Sequence, residues 1–294
     1  TIETTTWQVI EFESLPEWLK DNEFLRSGHR PPLPSVKECL KSIWSIHTET
    51  GNIWTHLIGC VLFAFLAGWF LTRPESHIQL QEKMIFSFFF LCAIICLFFS
   101  FAFHTLSCHS AEMLMTFCKL DYAGISLLIV GSNISWIYYG FYCRPEPKLV
   151  YITLVCLLGL CATIISMSDQ FSDTKYRTFR AAVFVATASS GAIPAVHYLL
   201  TDGLSSLFKE YVFHWLLLVA SIYLLGAWLY ATRTPERFFP GKCDIWFQSH
   251  QLFHTCVVIA ALLHYYGISE MAMIRLNRAC PGERDLAIHA RDEI

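Results

Sequence analysis

The stretch Lys83-Met-Ile-Phe-Ser-Phe-Phe-Phe-Leu-Cys-Ala-Ile-Ile-Cys-Leu-Phe-Phe-Ser-Phe-Ala-Phe-His-Thr105 decides the fold. It carries no acid or base between Lys83 and His104, and it is far too long for a buried strand. A bilayer core of about 30 Å takes roughly 20 apolar residues as a helix, which this run supplies. Six further runs of the same kind follow the chain, at 52–72, 121–142, 149–168, 180–200, 212–231 and 250–268. Turn and charge signals separate them, such as Arg73-Pro74-Glu75, Arg144-Pro145-Glu146-Pro147 and Thr234-Pro235-Glu236-Arg237. The expectation is an all-α membrane protein, a bundle of seven transmembrane helices. Composition agrees: 54% of residues are apolar and 15% charged, against roughly a quarter charged in soluble domains. A net charge of −3 gives no reason to expect a nucleic-acid partner.

Seven spans put the two ends of the chain on opposite sides of the membrane. Twelve of the Lys and Arg residues fall on the side of the N-terminus and nine on the other, so the positive-inside rule places the N-terminus in the cytoplasm. The chain divides into a cytoplasmic region at 1–50, a membrane domain at 51–269 and an extracellular tail at 270–294. The first 50 residues lack an apolar signal-peptide core, and the start at Thr1 leaves room for an N-terminal extension. Ser14-x-x-Glu17 and Ser35-x-x-Glu38 are capping-box patterns, predicting two short amphipathic helices. In the second, Val36, Leu40, Ile43 and Trp44 recur at helical spacing. That suits a helix on the membrane surface or one packed beneath the bundle. Pro194 predicts a kink late in the fifth span. Cys60, Cys92, Cys96, Cys156, Cys161 and Cys256 lie in apolar runs and read as small buried hydrophobes. With no CxxC pair, a cysteine zinc finger is not expected.

Ionisable groups within spans are costly and mark function by default. His250-x-x-x-His254 opens the seventh span, and residues four apart share a helix face. The pair reads either as two metal ligands or as two interior histidines with hydrogen-bond partners. Topology supplies a third candidate: the second span runs inward and ends near His104, at the face where the seventh begins. His56, early in the first span, competes for the same role. Ser100 precedes His104 by four and shares its face, where it approaches the metal or bonds back to the Cys96 carbonyl. Asp121 opens the third span at that level, to orient a water, accept its proton, or cap the helix. Three neutral nitrogens suit zinc rather than calcium or magnesium, and three protein ligands leave a fourth position for water. The residues therefore point to metal-assisted hydrolysis at membrane depth, with a lipid as substrate.

Long strings in the chain resemble the adiponectin receptors of the progestin and adipoQ receptor family. They are Leu15-Pro-Glu-Trp-Leu-Lys-Asp-Asn22, Ser27-Gly-His-Arg-Pro-Pro32, His47-Thr-Glu-Thr-Gly-Asn-Ile-Trp-Thr-His56, Phe103-His-Thr105, Lys119-Leu-Asp-Tyr122, Pro235-Glu-Arg-Phe-Phe-Pro-Gly-Lys242 and Asp244-Ile-Trp-Phe-Gln-Ser-His-Gln251. The resemblance implies seven helices with a cytosolic N-terminus, and Zn2+ held by His104, His250 and His254. Ser100 and Asp121 match a motif shared with alkaline ceramidases, implying slow hydrolysis of ceramide to sphingosine and free fatty acid. It further implies a cell-membrane receptor that senses an adiponectin-like protein outside, contacts a cytosolic adaptor and regulates lipid metabolism. The tail from Cys280 onward carries no family match.

Three readings of function stand side by side. One is a zinc-dependent lipid amidase under ligand control, and another is a receptor in which zinc only braces helices. The third, a G-protein-coupled receptor, is disfavoured by the missing Asp-Arg-Tyr and Asn-Pro-x-x-Tyr signatures and by the inferred orientation.

Overall fold

The computed structural model describes residues 7–74, 80–277 and 280 of the chain. Its helices are α1 (Val36–Ser42), α2 (Thr50–Leu71), α3 (Leu80–Leu106), α4 (Ala111–Gly140), α5 (Pro145–Ser166), α6 (Asp169–Ser172), α7 (Arg177–Ser189), α8 (Ala192–Lys209), α9 (Phe213–Thr232) and α10 (Ser249–Leu276). Seven of the resulting segments are long and apolar enough to span a bilayer, with α7 and α8 together forming one broken span. The described residues contain no strand, only an isolated bridge between Ile10 and His29. Large side chains such as Phe65, Leu149, Leu200 and Trp228 point outward, which in water would be a liability and in lipid is solvation.

α3 packs between α2 and α4, while α10 packs on α9, α2 and α4. These two helices thus run through the middle of the bundle. Small residues set the α3–α4 register. A Cβ on Gly124 would lie 2.9 Å from the Cys96 backbone, and one on Gly131 would meet the Cys92 side chain. Close approach at glycine is how membrane helices gain packing without a hydrophobic drive. In an antiparallel pair those two contacts also fix what comes next: Ser100, one turn beyond Cys96, falls opposite Asp121.

Several expectations change in detail. α4 begins ten residues earlier than predicted, because Ser110 caps it by accepting from the Met113 amide at 3.3 Å. The turns 111–120 are helical too, mostly apolar but interrupted by Glu112 and Lys119. The fifth span breaks at Ser190–Gly191, just before Pro194, and continues as α8. Gly191 is required there, since a Cβ would come within 2.2 Å of Asn133 Oδ1. α10 continues to Leu276, two turns past the predicted end. Neither capping box forms: Ser14 ends a 3-10 turn, and Ser35 precedes α1 without a side-chain cap. The Val36, Leu40 and Trp44 face of α1 is exposed, as the membrane-surface reading requires. Cys92 and Cys96 are buried, but Cys156 and Cys161 face outward on α5, since the Val155, Gly159 and Ala162 side of that helix is the one that packs. His77, His289 and the tail beyond Cys280 lie outside the described residues.

Residues 7–49 and the α9–α10 loop close one end of the bundle. Arg30 donates to the carbonyls of His104 and Thr105 and to Ser42 Oγ. Asp244 accepts from the amides of Arg26 and Ser27. Glu236 caps α10, accepting from Ser249 N at 2.7 Å while also holding Asn22 Nδ2 at 3.0 Å. A carboxylate at a helix N-terminus both fills orphan donors and opposes the helix dipole. The opposite end is tied by the Cys143–Cys280 disulfide and by the pairs Arg144–Asp202 and Arg275–Glu210.

Candidate metal centre

The site grows from one face of α3 and one of α10. On α3, Cys92, Cys96, Ser100 and His104 follow each other at four-residue steps, so packing at the first two aims the last two inward. On α10 the Glu236 cap fixes the first turn, which carries His250 and, one turn on, His254. These three histidines come together: one nitrogen from each lies within 4.8 Å of the others, and His104 Nε2 is 3.2 Å from His250 Nε2. His104 and His254 are buried and His250 is partly buried. Such a group can hold a metal ion.

Outer contacts decide which nitrogen is free in two of the rings, His104 and His254. Glu49 Oε2 sits 2.6 Å from His104 Nδ1, so Nδ1–H donates there and the Nε2 lone pair points into the site. Glu49 is itself held by Asn52 Nδ2 at 2.7 Å. His254 Nδ1 lies 3.3 Å from the Asn52 carbonyl, again leaving Nε2 as the acceptor. A carboxylate behind His104 and a carbonyl behind His254 are the usual means of setting tautomer and basicity at metal sites.

Asp121 is not a helix cap. It is the eleventh residue of α4, about 15 Å along the axis from the true N-terminus, and its side chain is buried. Ser100 does not bond back to the Cys96 carbonyl: its Oγ is buried with no hydrogen-bond partner, although it lies within reach of the Asp121 carboxylate. His56, the competing ligand, stacks on His254 with ring centroids 3.6 Å apart and stands outside the three-histidine group.

A cavity of about 240 Å³ extends from this cluster between α4, α7, α9 and α10. Asp121, Ser100, His250 and His254 line one end, and aliphatic and aromatic side chains such as Ile125, Leu128, Val219, Phe253 and Val257 line its length. Arg180 also reaches the metal end. Its guanidinium donates to the carbonyls of Phe171 and Asp173 at 2.6 and 2.7 Å and to Tyr230 Oη at 3.1 Å, and it lies 5.1 Å from the Tyr122 ring centroid. No carboxylate pairs with it among the described residues, leaving a buried cation beside an apolar chamber. Sequence reasoning used Arg180 only as a positive charge at a span end and passed over Glu49. The available signals were an Arg inside the predicted fifth span and a Glu one turn before the first.

Comparison with known proteins agrees with this architecture. A family model described as Haemolysin-III related matches residues 44–265. Progestin and adipoQ receptor-like protein 1 of Caenorhabditis elegans is 70% identical over 275 residues, covering 94% of this chain and 63% of the relative. The adiponectin receptor protein of Drosophila melanogaster is 55% identical over 271 residues, covering 92% and 61%. Heptahelical transmembrane protein 3 of Arabidopsis thaliana is 36% identical over 313 residues, covering 93% and 90%. The chain thus spans about three-fifths of the length of the two animal relatives. Seven spans, a histidine cluster at one end, and matches across most of both chains establish that this protein belongs to the Haemolysin-III related family, alongside proteins named adiponectin receptors and progestin and adipoQ receptor-like proteins.

Proposed function

We propose that this protein is an adiponectin-receptor-like membrane receptor that binds zinc through His104, His250 and His254 and slowly hydrolyses ceramide to sphingosine and free fatty acid. The observation that carries the reading is a three-histidine cluster opening onto an apolar cavity. The donor set fits zinc: Zn–N bonds of 2.0–2.1 Å at tetrahedral angles put ligand nitrogens about 3.3 Å apart, close to the 3.2 Å between His104 and His250. Zinc bound there supplies a Lewis acid and brings the pKa of water to about 7.

The chain's own groups do the rest. The apolar walls take the acyl chain and exclude bulk water, and the amide comes to rest at the polar end. Asp121 accepts the proton of the attacking water as the carbonyl carbon is attacked, then returns it to nitrogen as the C–N bond breaks. Ser100 Oγ, free of other partners, holds Asp121 and the water in line. Arg180 receives the carboxylate of the released fatty acid, balancing its own buried charge. The nitrogen gains both protons of the water and leaves as an ammonium with three hydrogens, while the water oxygen stays in the carboxylate, so atoms and charge balance.

The Cys143–Cys280 disulfide supports a cytoplasmic N-terminus, since disulfides persist on the oxidising side of a membrane. In that orientation the disulfide face meets an adiponectin-like protein, and the end closed by residues 7–49 meets a cytosolic adaptor. A second reading, zinc as a brace, is favoured by the way the ligands bridge α3 and α10, and one experiment separates the two. His104→Ala, His250→Ala and His254→Ala should each lose stoichiometric zinc by elemental analysis. Asp121→Asn should retain zinc and fold while ceramide turnover, followed by mass spectrometry, drops by at least about a hundredfold. Unchanged turnover in Asp121→Asn would overturn its catalytic role, and absence of turnover in the zinc-loaded wild type would leave the brace.

A further inference from the structure

The register that sets Ser100 opposite Asp121 reaches a second acid at the other end of the same two helices. Glu82 lies about five turns before Ser100 and so on the same face of α3. A Cβ on Gly131 would lie 2.8 Å from Cys92 Cβ and 3.6 Å from Phe89 Cα. Continued from there, the antiparallel pairing sets Glu82 opposite Tyr138 and Tyr139, near the end of α4. Phe86, one turn on from Glu82, meets the Tyr139 ring at a centroid distance of 5.8 Å, and the Glu82 charge acts on both phenols. Glu82 is 2% exposed, yet neither carboxylate oxygen has a hydrogen-bond partner. Its place in the first turn of α3 offers backbone amides, and it accepts from none. The Oη atoms of Tyr138 and Tyr139 are likewise buried without a partner. Among the described residues no cation pairs with Glu82: Lys148, 4.8 Å from the Tyr138 ring centroid, donates to the Tyr142 carbonyl instead.

The donors and the charge decide what such a place takes. Burying a lone carboxylate is costly enough that these groups are paired or bind cations. Two carboxylate and two phenol oxygens make a hard donor set without nitrogen or sulfur, the kind that takes ions which prefer oxygen. One carboxylate balances one positive charge, so a divalent ion would leave a net charge buried. We propose that Glu82, Tyr138 and Tyr139 form a site for a monovalent alkali cation between α3 and α4, at the disulfide end of the bundle. The site stands about 27 Å along α3 from Ser100 and is independent of the three-histidine group and of the lipid cavity. A bound ion ties α3 to α4 at the end opposite the Ser100–Asp121 contact.

The test is thermal unfolding of the full chain in detergent, in chloride salts of Na+, K+ and N-methylglucamine at equal ionic strength. N-methylglucamine is too large for a site this buried. Wild type should unfold at a higher temperature in Na+ or K+, and the gain should saturate with ion concentration, as binding to the folded state requires. Glu82→Gln keeps the size of the side chain without its charge and should abolish the ion dependence. Tyr138→Phe and Tyr139→Phe should each keep a saturable gain with the midpoint concentration raised about tenfold, the effect of losing one polar contact. Equal unfolding temperatures of wild type in the three salts overturn the site, since water bridging the same oxygens would give that result. So does an undiminished ion dependence in Glu82→Gln. If Glu82→Gln does not fold, the two Tyr variants decide, and unchanged midpoints in both overturn the site. Stabilisation by Ca2+ in place of Na+ and K+ overturns the choice of a monovalent ion.

Discussion

At the scale of single residues, the three-histidine group is set by side chains outside it. Glu49 holds His104 in the tautomer that turns Nε2 inward. Glu49→Gln should therefore keep the fold and lower zinc affinity by about 10- to 100-fold, the usual effect of losing such a partner. Competition with a chromophoric chelator measures it, and unchanged affinity would show that the His104 ring is set by packing alone. His47 stands two residues before Glu49 and accepts the Glu49 amide proton at Nδ1 while donating to the Ser42 carbonyl. Burial and then the positive charge of Arg30 push its imidazole down to about 3. The folded ring is neutral, whereas in the unfolded chain it takes up a proton near pH 6.5. Its contribution is whole above about pH 7 and is lost as pH falls toward 3, at up to about 1.4 kcal/mol per pH unit. Thermal unfolding of wild type should accordingly weaken between pH 6 and 4, and His47→Gln should lower stability overall while flattening that slope. An identical slope in the variant would assign the pH dependence to other groups.

At the scale of helices, the α3–α4 contact decides which polar groups face each other. Gly124 lets the helices meet at Cys96, and that register brings Ser100 opposite Asp121. Replacing Gly124 by Leu pushes the helices apart. Expected are a loss of about 1–3 kcal/mol of stability and a fall in ceramide turnover, with zinc retained because His104 and α10 lie outside the contact. Thermal unfolding, elemental analysis and turnover together check this. Turnover at the wild-type level would show that the Ser100–Asp121 register does not matter. The α4 N-terminus carries a related lesson: Ser110 caps it, so Asp121 is released from helix capping to line the cavity.

At the scale of the whole molecule, the two ends differ in chemistry as well as shape. One is sealed by residues 7–49 and holds the free thiols Cys39 and Cys108, 3.7 Å apart; the other carries the Cys143–Cys280 disulfide. With the N-terminus cytoplasmic, a membrane-impermeant thiol reagent applied to reduced, intact cells should label Cys143 and Cys280. Cys243, the partly exposed free thiol in the α9–α10 loop at the sealed end, should stay unlabelled until the membrane is opened. The reverse pattern would invert the orientation. Exposed Trp44, Phe238, Phe239 and Phe247 rim the sealed end, where the amphipathic indole of Trp44 suits a membrane interface.

Span number and helix type were legible in the sequence because a hydrocarbon core enforces both: every backbone group must be paired within a helix about 20 residues long. The pairing of His250 with His254 was legible for a similar reason, since helix periodicity alone sets it. His104 was reachable through topology, once the direction of each span was counted. What only the tertiary structure decided was the setting of those groups. The charges of Glu112 and Lys119 broke the apolar run, so the start of α4 at Ala111 went unseen and Asp121 looked like an end when it is an interior residue. Nothing local tells Glu49 from its neighbours as the partner of His104, or Arg180 from the other cations at span ends, because each role depends on which helix lies opposite. His56 shows this most plainly. Its position in α2 made it a competing ligand, and only the tertiary packing shows it stacked on His254 and outside the three-histidine group.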